Sequence, residues 1–204
     1  MSDTQVRYLP IKDFKFRNTE NGNPIIEGYF VKFNEIYEIC PGLKEKISPG
    51  AFSKYLSSGK EIKVLWNHDS NIVLGCRSNE TAVFREDDIG LWARVELNPK
   101  DTDAMNGAAR IERRDVTGAS FGFDVESVET TYEDDGSILN DIKVVSPLYE
   151  VSPCTFPAYE GTDIYARNKQ ERENKVRDFK KRSFEAWKEK VCLLYTSPSP
   201  RDRG

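Results

Sequence analysis

The chain has little histidine, little sulfur and no long apolar run: its 204 residues include one histidine, two methionines and four cysteines. A lone imidazole excludes any site built on clustered histidines. The cysteines Cys40, Cys76, Cys154 and Cys192 are scattered with no Cys-x-x-Cys spacing, so a structural zinc site is not expected and the thiols read as buried groups in a reducing compartment. Apolar runs extend only a few residues, far short of the roughly 20 that a membrane-spanning helix needs, and no secretory-signal pattern opens the chain. Charge of one sign is also lacking. Thirty basic side chains against 34 acidic ones leave a net charge of −4, which gives no footing for a nucleic-acid partner. The expectation is a soluble protein of a cytoplasm, with neither nucleic acid nor membrane among its partners.

What is present divides the chain by composition. Residues 1–24 are mixed and polar and are expected to be loose, with one short strand around Val6 to Leu9. From Ile25 to about residue 167, apolar and polar residues alternate. Strand patterns cover Ile25–Phe33, Glu61–Asp69, Ile72–Arg77, Thr81–Arg85, Leu91–Leu97, Val116–Tyr132, Ile138–Val145 and a run from Pro147. Two helices interrupt them. One spans Ile47–Leu56, with Ser48 as cap, Pro49 in the first turn and Gly59 as stop; the other follows Thr102 as cap and runs over Asp103–Arg114. This is a mostly β, α+β domain. Residues 168–191 are nearly all charged, with Phe179, Phe184 and Trp187 interspersed, and read as a charged C-terminal helix able to dock on a partner or on its own domain.

The chemistry centres on Gly118-Ala-Ser-Phe-Gly-Phe-Asp-Val125. On a strand, Ala119, Phe121, Phe123 and Val125 share one face, while Gly118, Ser120, Gly122 and Asp124 share the other. A hydroxyl flanked by two glycines on its own face is open to close approach, which suits a nucleophile. The Gly-x-Ser-x-Gly pattern invites the elbow of α/β-hydrolases, but there the histidine follows the serine and a helix begins at once. Here His68 precedes Ser120 and the strand pattern continues, so that reading is rejected.

His68 ends the apolar row Ile62, Val64, Trp66 on its strand. Glu150 sits in the apolar run Pro147-Leu-Tyr-Glu-Val-Ser-Pro153, where a carboxylate is costly to bury unless paired, and it shares a face with Leu148 and Ser152. It is therefore a candidate to orient the imidazole. Asp69 is the reserve, pointing away from His68 on the strand. Cys154, between two nearby prolines, is a weak nucleophile candidate with no base nearby in sequence. Arg113 and Arg114 read as a solvated helix end, with oxyanion assistance as the lesser role.

Five motifs in order carry a family resemblance: Gly28-Tyr-Phe-Val-Lys-Phe-Asn34, Ile47-Ser-Pro-Gly-Ala-Phe52, Trp66-Asn-His68, Gly118-Ala-Ser-Phe-Gly-Phe123, and Leu148-Tyr-Glu-Val-Ser-Pro153 running on to Pro157-Ala-Tyr159. From about Ile25 to Arg167 the chain resembles the prohead maturation proteases of tailed phages, a family similar in fold to the herpesvirus assembly proteases. The resemblance implies a closed antiparallel β-barrel with packed helices, a serine protease domain over 25–167, Ser120 as nucleophile and His68 as base. Glu150 stands at the family's acidic position, where the herpesvirus enzymes use a second histidine; Asp69 or a Ser–His dyad is the alternative. Backbone amides near the serine would hold the oxyanion. No cofactor or metal is implied. The implied partners are the major capsid protein and its scaffolding segment, cut inside the immature prohead in the host cytoplasm before the protease digests itself; self-association is left open. A catalytically silent β-barrel acting as a capsid or scaffold assembly factor is the competing reading. A small-ester hydrolase ranks below both, since no lid pattern is present. Residues 192–204 resemble a translated sequencing adapter, are expected to be disordered, and are set apart from the fold.

Overall fold

The computed structural model describes residues 5–10, 14–19 and 22–155. The expected end of the domain after residue 155, the charged segment 168–191 and the stretch 192–204 lie outside the described residues.

The described strands are β1 (Gln5–Pro10), β2 (Lys15–Asn18), β3 (Pro24–Lys32), β4 (Tyr37–Cys40), β5 (Leu43–Ile47), β6 (Lys63–Trp66), β7 (Asp69–Cys76), β8 (Ala82–Glu86), β9 (Gly90–Glu96), β10 (Gly118–Tyr132) and β11 (Ile138–Cys154). The helices are α1 (Ser53–Ser57) and α2 (Thr102–Glu112). They build a mostly β, α+β fold of two sheets. A seven-stranded sheet runs β1-β10-β11-β5-β4, with β6 also on β11 and β7 on β6; a four-stranded sheet runs β2-β3-β9-β8.

The closed antiparallel barrel is not found. Among the described residues the smaller sheet ends at β2 and β8. In the larger sheet β11 changes partner along its length, pairing in parallel with β5 through Ile138–Ile142 and with β6 through Glu150 and Val151. A strand that shares one edge between two parallel neighbours branches the sheet instead of closing it. The segment expected to be loose, 1–24, carries β1 and β2. β1 lies antiparallel on β10 with Tyr8 opposite Ser120, and β2 lies on β3.

The two helices begin differently from the pattern. Ser48 does not cap α1; its hydroxyl donates to Asp141 Oδ1 at 2.6 Å, and residues Pro49 to Phe52 form a turn, so the helix starts at Ser53. Gly59, at φ +70°, follows it in the left-handed region that glycine adopts without strain. For α2 the cap is Asp101, one residue earlier than expected. Its carboxylate accepts from the amides of Asp103 at 3.0 Å and Ala104 at 3.2 Å, whereas Thr102 is already helical.

Burial follows the alternation. Ile26, Phe30, Leu91, Ala93 and Val95 turn inward from the smaller sheet, and Phe121, Phe123, Val145 and Val151 from the larger. Phe52 joins the layers, edge-on to Phe121 at 6.0 Å between centroids, while Phe121 stacks on Phe123 at 4.5 Å. Completely burying a phenylalanine of this kind is worth about 1.5–3 kcal/mol, so this aromatic row fixes the face of β10 from which Ser120 points away.

Gly90 is where the smaller sheet is tightest. A Cβ there would stand 1.9 Å from the Val31 carbonyl oxygen, a backbone atom that cannot yield. Gly90→Ala is expected to lower unfolding free energy by about 3 kcal/mol, read as an earlier denaturant midpoint at unchanged slope.

Candidate active site

The structure brings together His68, from the turn between β6 and β7, Ser120 of β10 and Glu150 of β11, three places far apart in sequence. His68 Nε2 lies 2.6 Å from Ser120 Oγ, and His68 Nδ1 lies 2.6 Å from Glu150 Oε1. Ser120 and Glu150 are held by the β10–β11 ladder, in which Ser120 faces Ser152 and Gly122 faces Glu150.

His68 is not on a strand face, as its apolar row suggested. β6 ends at Trp66, and Asn67 and His68 form a two-residue hairpin turn closed by the Trp66–Asp69 pair. Both have positive φ, 51° and 62°, as hairpin turns that match strand twist require. Such a backbone costs about 1 kcal/mol or more per non-glycine residue and persists only when its surroundings hold it.

The last residues of β11 and Thr155 do so. The Asn67 amide donates to the Pro153 carbonyl at 3.1 Å, its side chain donates to Thr155 Oγ1 at 3.2 Å, and its Oδ1 accepts from the Thr155 amide at 2.9 Å. The His68 amide donates to Ser152 Oγ at 3.2 Å. Under the turn, Trp66 packs so closely on α2 that a Cβ at Gly107 would meet its ring at 3.0 Å.

Glu150 is 8 % exposed, and both its oxygens are engaged. One meets His68; the other accepts the Ser152 hydroxyl at 2.5 Å. Ser152, fully buried, thus joins the turn backbone to the carboxylate. Sequence reasoning assigned no role to Ser152, Asn67 or Thr155. For Ser152 a signal exists: two residues after Glu150 on one strand, it shares that face. For Asn67 and Thr155 none does, because their pairing is wholly tertiary.

The space beside Ser120 is also used differently from the sequence reading. A Cβ on Gly122 would stand 2.7 Å from Glu150 Oε1, so this glycine makes room for the carboxylate and not for a substrate backbone. Asp69 stands apart: its Oδ1 accepts from the Asn71 amide and side chain at 2.8 and 2.9 Å. Arg113 is tied to Asp115 at the exposed end of α2. Cys154 is buried, with its Sγ 3.6 Å from the Ser152 carbonyl oxygen. Burial first, and the Glu150 carboxylate second, push its thiol well above the ordinary range, the reverse of what a thiolate nucleophile needs. Among the described residues no cluster of three or more His, Cys, Asp or Glu side chains is arranged to hold a metal ion.

Two outcomes follow from this packing. At mildly alkaline pH, iodoacetamide is expected to modify Cys76, whose thiol the Ser78 hydroxyl holds below its usual value, well before Cys154. Peptide mass mapping should find Cys154 labelled only after denaturation, and equal native rates would contradict its burial. Ser152→Ala leaves a buried carboxylate oxygen and the His68 amide each short of a partner, a loss of about 1–3 kcal/mol in a denaturant titration.

The sequence is 29 % identical over 176 residues to the prohead protease of Enterobacteria phage HK97, a match spanning 85 % of this chain and 73 % of that protein. The solved structure of the bacteriophage T4 capsid assembly protease aligns with a TM-score of 0.42 at 13 % identity, covering 75 % of this chain and 99 % of the other. The family model for the caudovirus prohead serine proteases matches residues 12–177. With a match over most of its length, the chain belongs to the caudovirus prohead serine proteases.

Proposed function

We propose that this chain is a serine endopeptidase in which Ser120 is the nucleophile, His68 the general base and then acid, and Glu150 the residue that orients the imidazole. The supporting observation is the continuous line of hydrogen-bond contacts from Ser120 Oγ through both ring nitrogens of His68 to Glu150. A carboxylate at Nδ1 selects the tautomer with its proton there, which leaves the Nε2 lone pair facing the serine hydroxyl. Nε2 takes the Ser120 proton as Oγ attacks a peptide carbonyl, and returns it to the departing amine; water then hydrolyses the acyl-enzyme by the same relay. Glu150 stabilises the imidazolium formed in between, and Ser152 keeps the carboxylate from turning away.

Family membership supports the biological reading. Its substrates are the scaffolding segment of the major capsid protein and the protease itself, cut inside the immature prohead within the host cytoplasm. Ser120 is 0 % exposed, with its Oγ against His68 Nε2.

The test is intact mass over time for wild type, Ser120→Ala and Glu150→Gln, each assembled with its cognate capsid protein. Ser120→Ala is expected to lose roughly 10⁶-fold in kcat. Glu150→Gln presents an amide able to donate to Nδ1, inverts the tautomer, and is expected to lose about 10⁴-fold. Undiminished cleavage by Ser120→Ala removes it as nucleophile, and absence of any cleavage by wild type inside proheads points to a silent assembly factor.

A further inference from the structure

The outer face of the smaller sheet carries a feature that the proteolytic site does not use. Alternation along β3 and β9 sends Ile26, Phe30, Ala93 and Val95 into the core and turns Glu27, Tyr29, Trp92 and Arg94 outward. Register sets Trp92 between Tyr29 and Arg85, and Glu27 between Arg94 and Lys15. Between these side chains lies a depression of about 670 Å³ whose lining, among the described residues, has five cationic side chains, Lys15, Arg17, Lys32, Arg85 and Arg94, against one carboxylate, Glu27. In a chain of net charge −4 that is a local reversal of sign.

Several nearby acids already have partners. Glu27 is paired with Arg17 at 2.8 Å, Asp87 accepts the Tyr29 hydroxyl at 2.8 Å, and Glu96 accepts from Asn23 at 2.8 Å. Arg85 lies over the Trp92 ring, its Cζ 4.1 Å from the centroid, where the cation–π contact limits the freedom of the guanidinium. Arg94 Nε is buried and meets no hydrogen-bond acceptor among the described residues. A desolvated guanidinium donor with no acceptor is a cost, and a carboxylate is the group whose geometry relieves it best. Half-exposed aliphatic side chains flank the cations: Ile89 at 52 % lines the depression and Val83 at 49 % lies on β8, opposite Arg94.

We propose that this groove is a docking site for an acidic peptide segment bearing aliphatic side chains, bound away from the scissile bond. Cations interleaved with exposed aliphatics fit such a peptide. They fit single-stranded nucleic acid less well, because the stacking face of Trp92 is occupied by Arg85. Binding itself does not depend on the chemistry at Ser120; its use as a substrate dock rests on the proteolytic reading, where tethering the substrate raises its effective concentration at the site.

The experiment titrates the Ser120→Ala chain, which cannot consume a peptide through that serine, and follows tryptophan fluorescence. Three probes are compared: a peptide of Glu and Asp interspersed with Leu and Val, its Gln/Asn isostere, and an oligothymidylate. The acidic peptide is expected to saturate, to weaken with added salt, and to bind at least tenfold more tightly than the isostere. Arg85→Glu, at an exposed position, and Arg94→Gln are each expected to weaken it at least tenfold while far-ultraviolet circular dichroism stays unchanged. Failure to bind, equal binding of the isostere, indifference to both substitutions, or tighter binding of the oligothymidylate would each overturn the proposal. In prohead extracts, wild type and Arg85→Glu are then given a cleavable peptide with and without the acidic segment fused to it. Docking predicts a higher KM for Arg85→Glu on the fused substrate alone, with kcat unchanged. If neither substrate is cut by wild type, the proteolytic reading fails, while the titration still decides the groove.

Discussion

The site depends on one buried carboxylate. Removing Glu150 from water is costly unless both oxygens are satisfied, and the structure satisfies them with two groups that need fixing in place: the His68 ring and the Ser152 hydroxyl. Gly122 has no side chain because that carboxylate lies over it. The left-handed turn at Asn67 and His68 exists where the end of β11 supplies acceptors and donors to hold it. Ser120, Gly122, Glu150, Ser152 and the turn therefore form one mutually dependent unit.

The sheet architecture serves that unit. β10 presents the aromatic row Phe121 and Phe123 to the core and Ser120 to the opposite side, while β11 holds Glu150 and Ser152 in register beside it. The short parallel pairing of β6 with Glu150 and Val151 delivers the histidine turn to the far end of the same strand. Branching of the sheet at β11 is thus what brings His68 into reach, and a closed barrel with β11 bound along one continuous neighbour would leave β6 no place on it. The smaller sheet closes the core from the other side and leaves its outer face free to differ in charge from the rest of the molecule.

Much of this was legible from residue order. The alternation that marks β3, β9, β10 and β11 is a local property of successive residues, as is the stop at Gly59. His68, Ser120 and Glu150 stood out because each is chemically conspicuous where it sits: a lone imidazole, a hydroxyl between glycines, a carboxylate among apolar neighbours. The start of α1 was misplaced because Ser48 finds a stronger partner in Asp141, and the cap of α2 because a carboxylate at Asp101 outcompetes the hydroxyl next to it.

Sequence by itself determined which residues can do chemistry and which faces of the strands are apolar, since both follow from side-chain type and a two-residue period. Only the tertiary structure decided that His68 lies on a turn and not a strand, that Gly122 makes room for Glu150, that Ser152 joins the two, and that the cations of β2, β3, β8 and β9 converge. These arrangements rest on contacts between segments that lie apart in the chain, set by register and sheet branching, and no local pattern encodes the distance between atoms that chain order keeps apart.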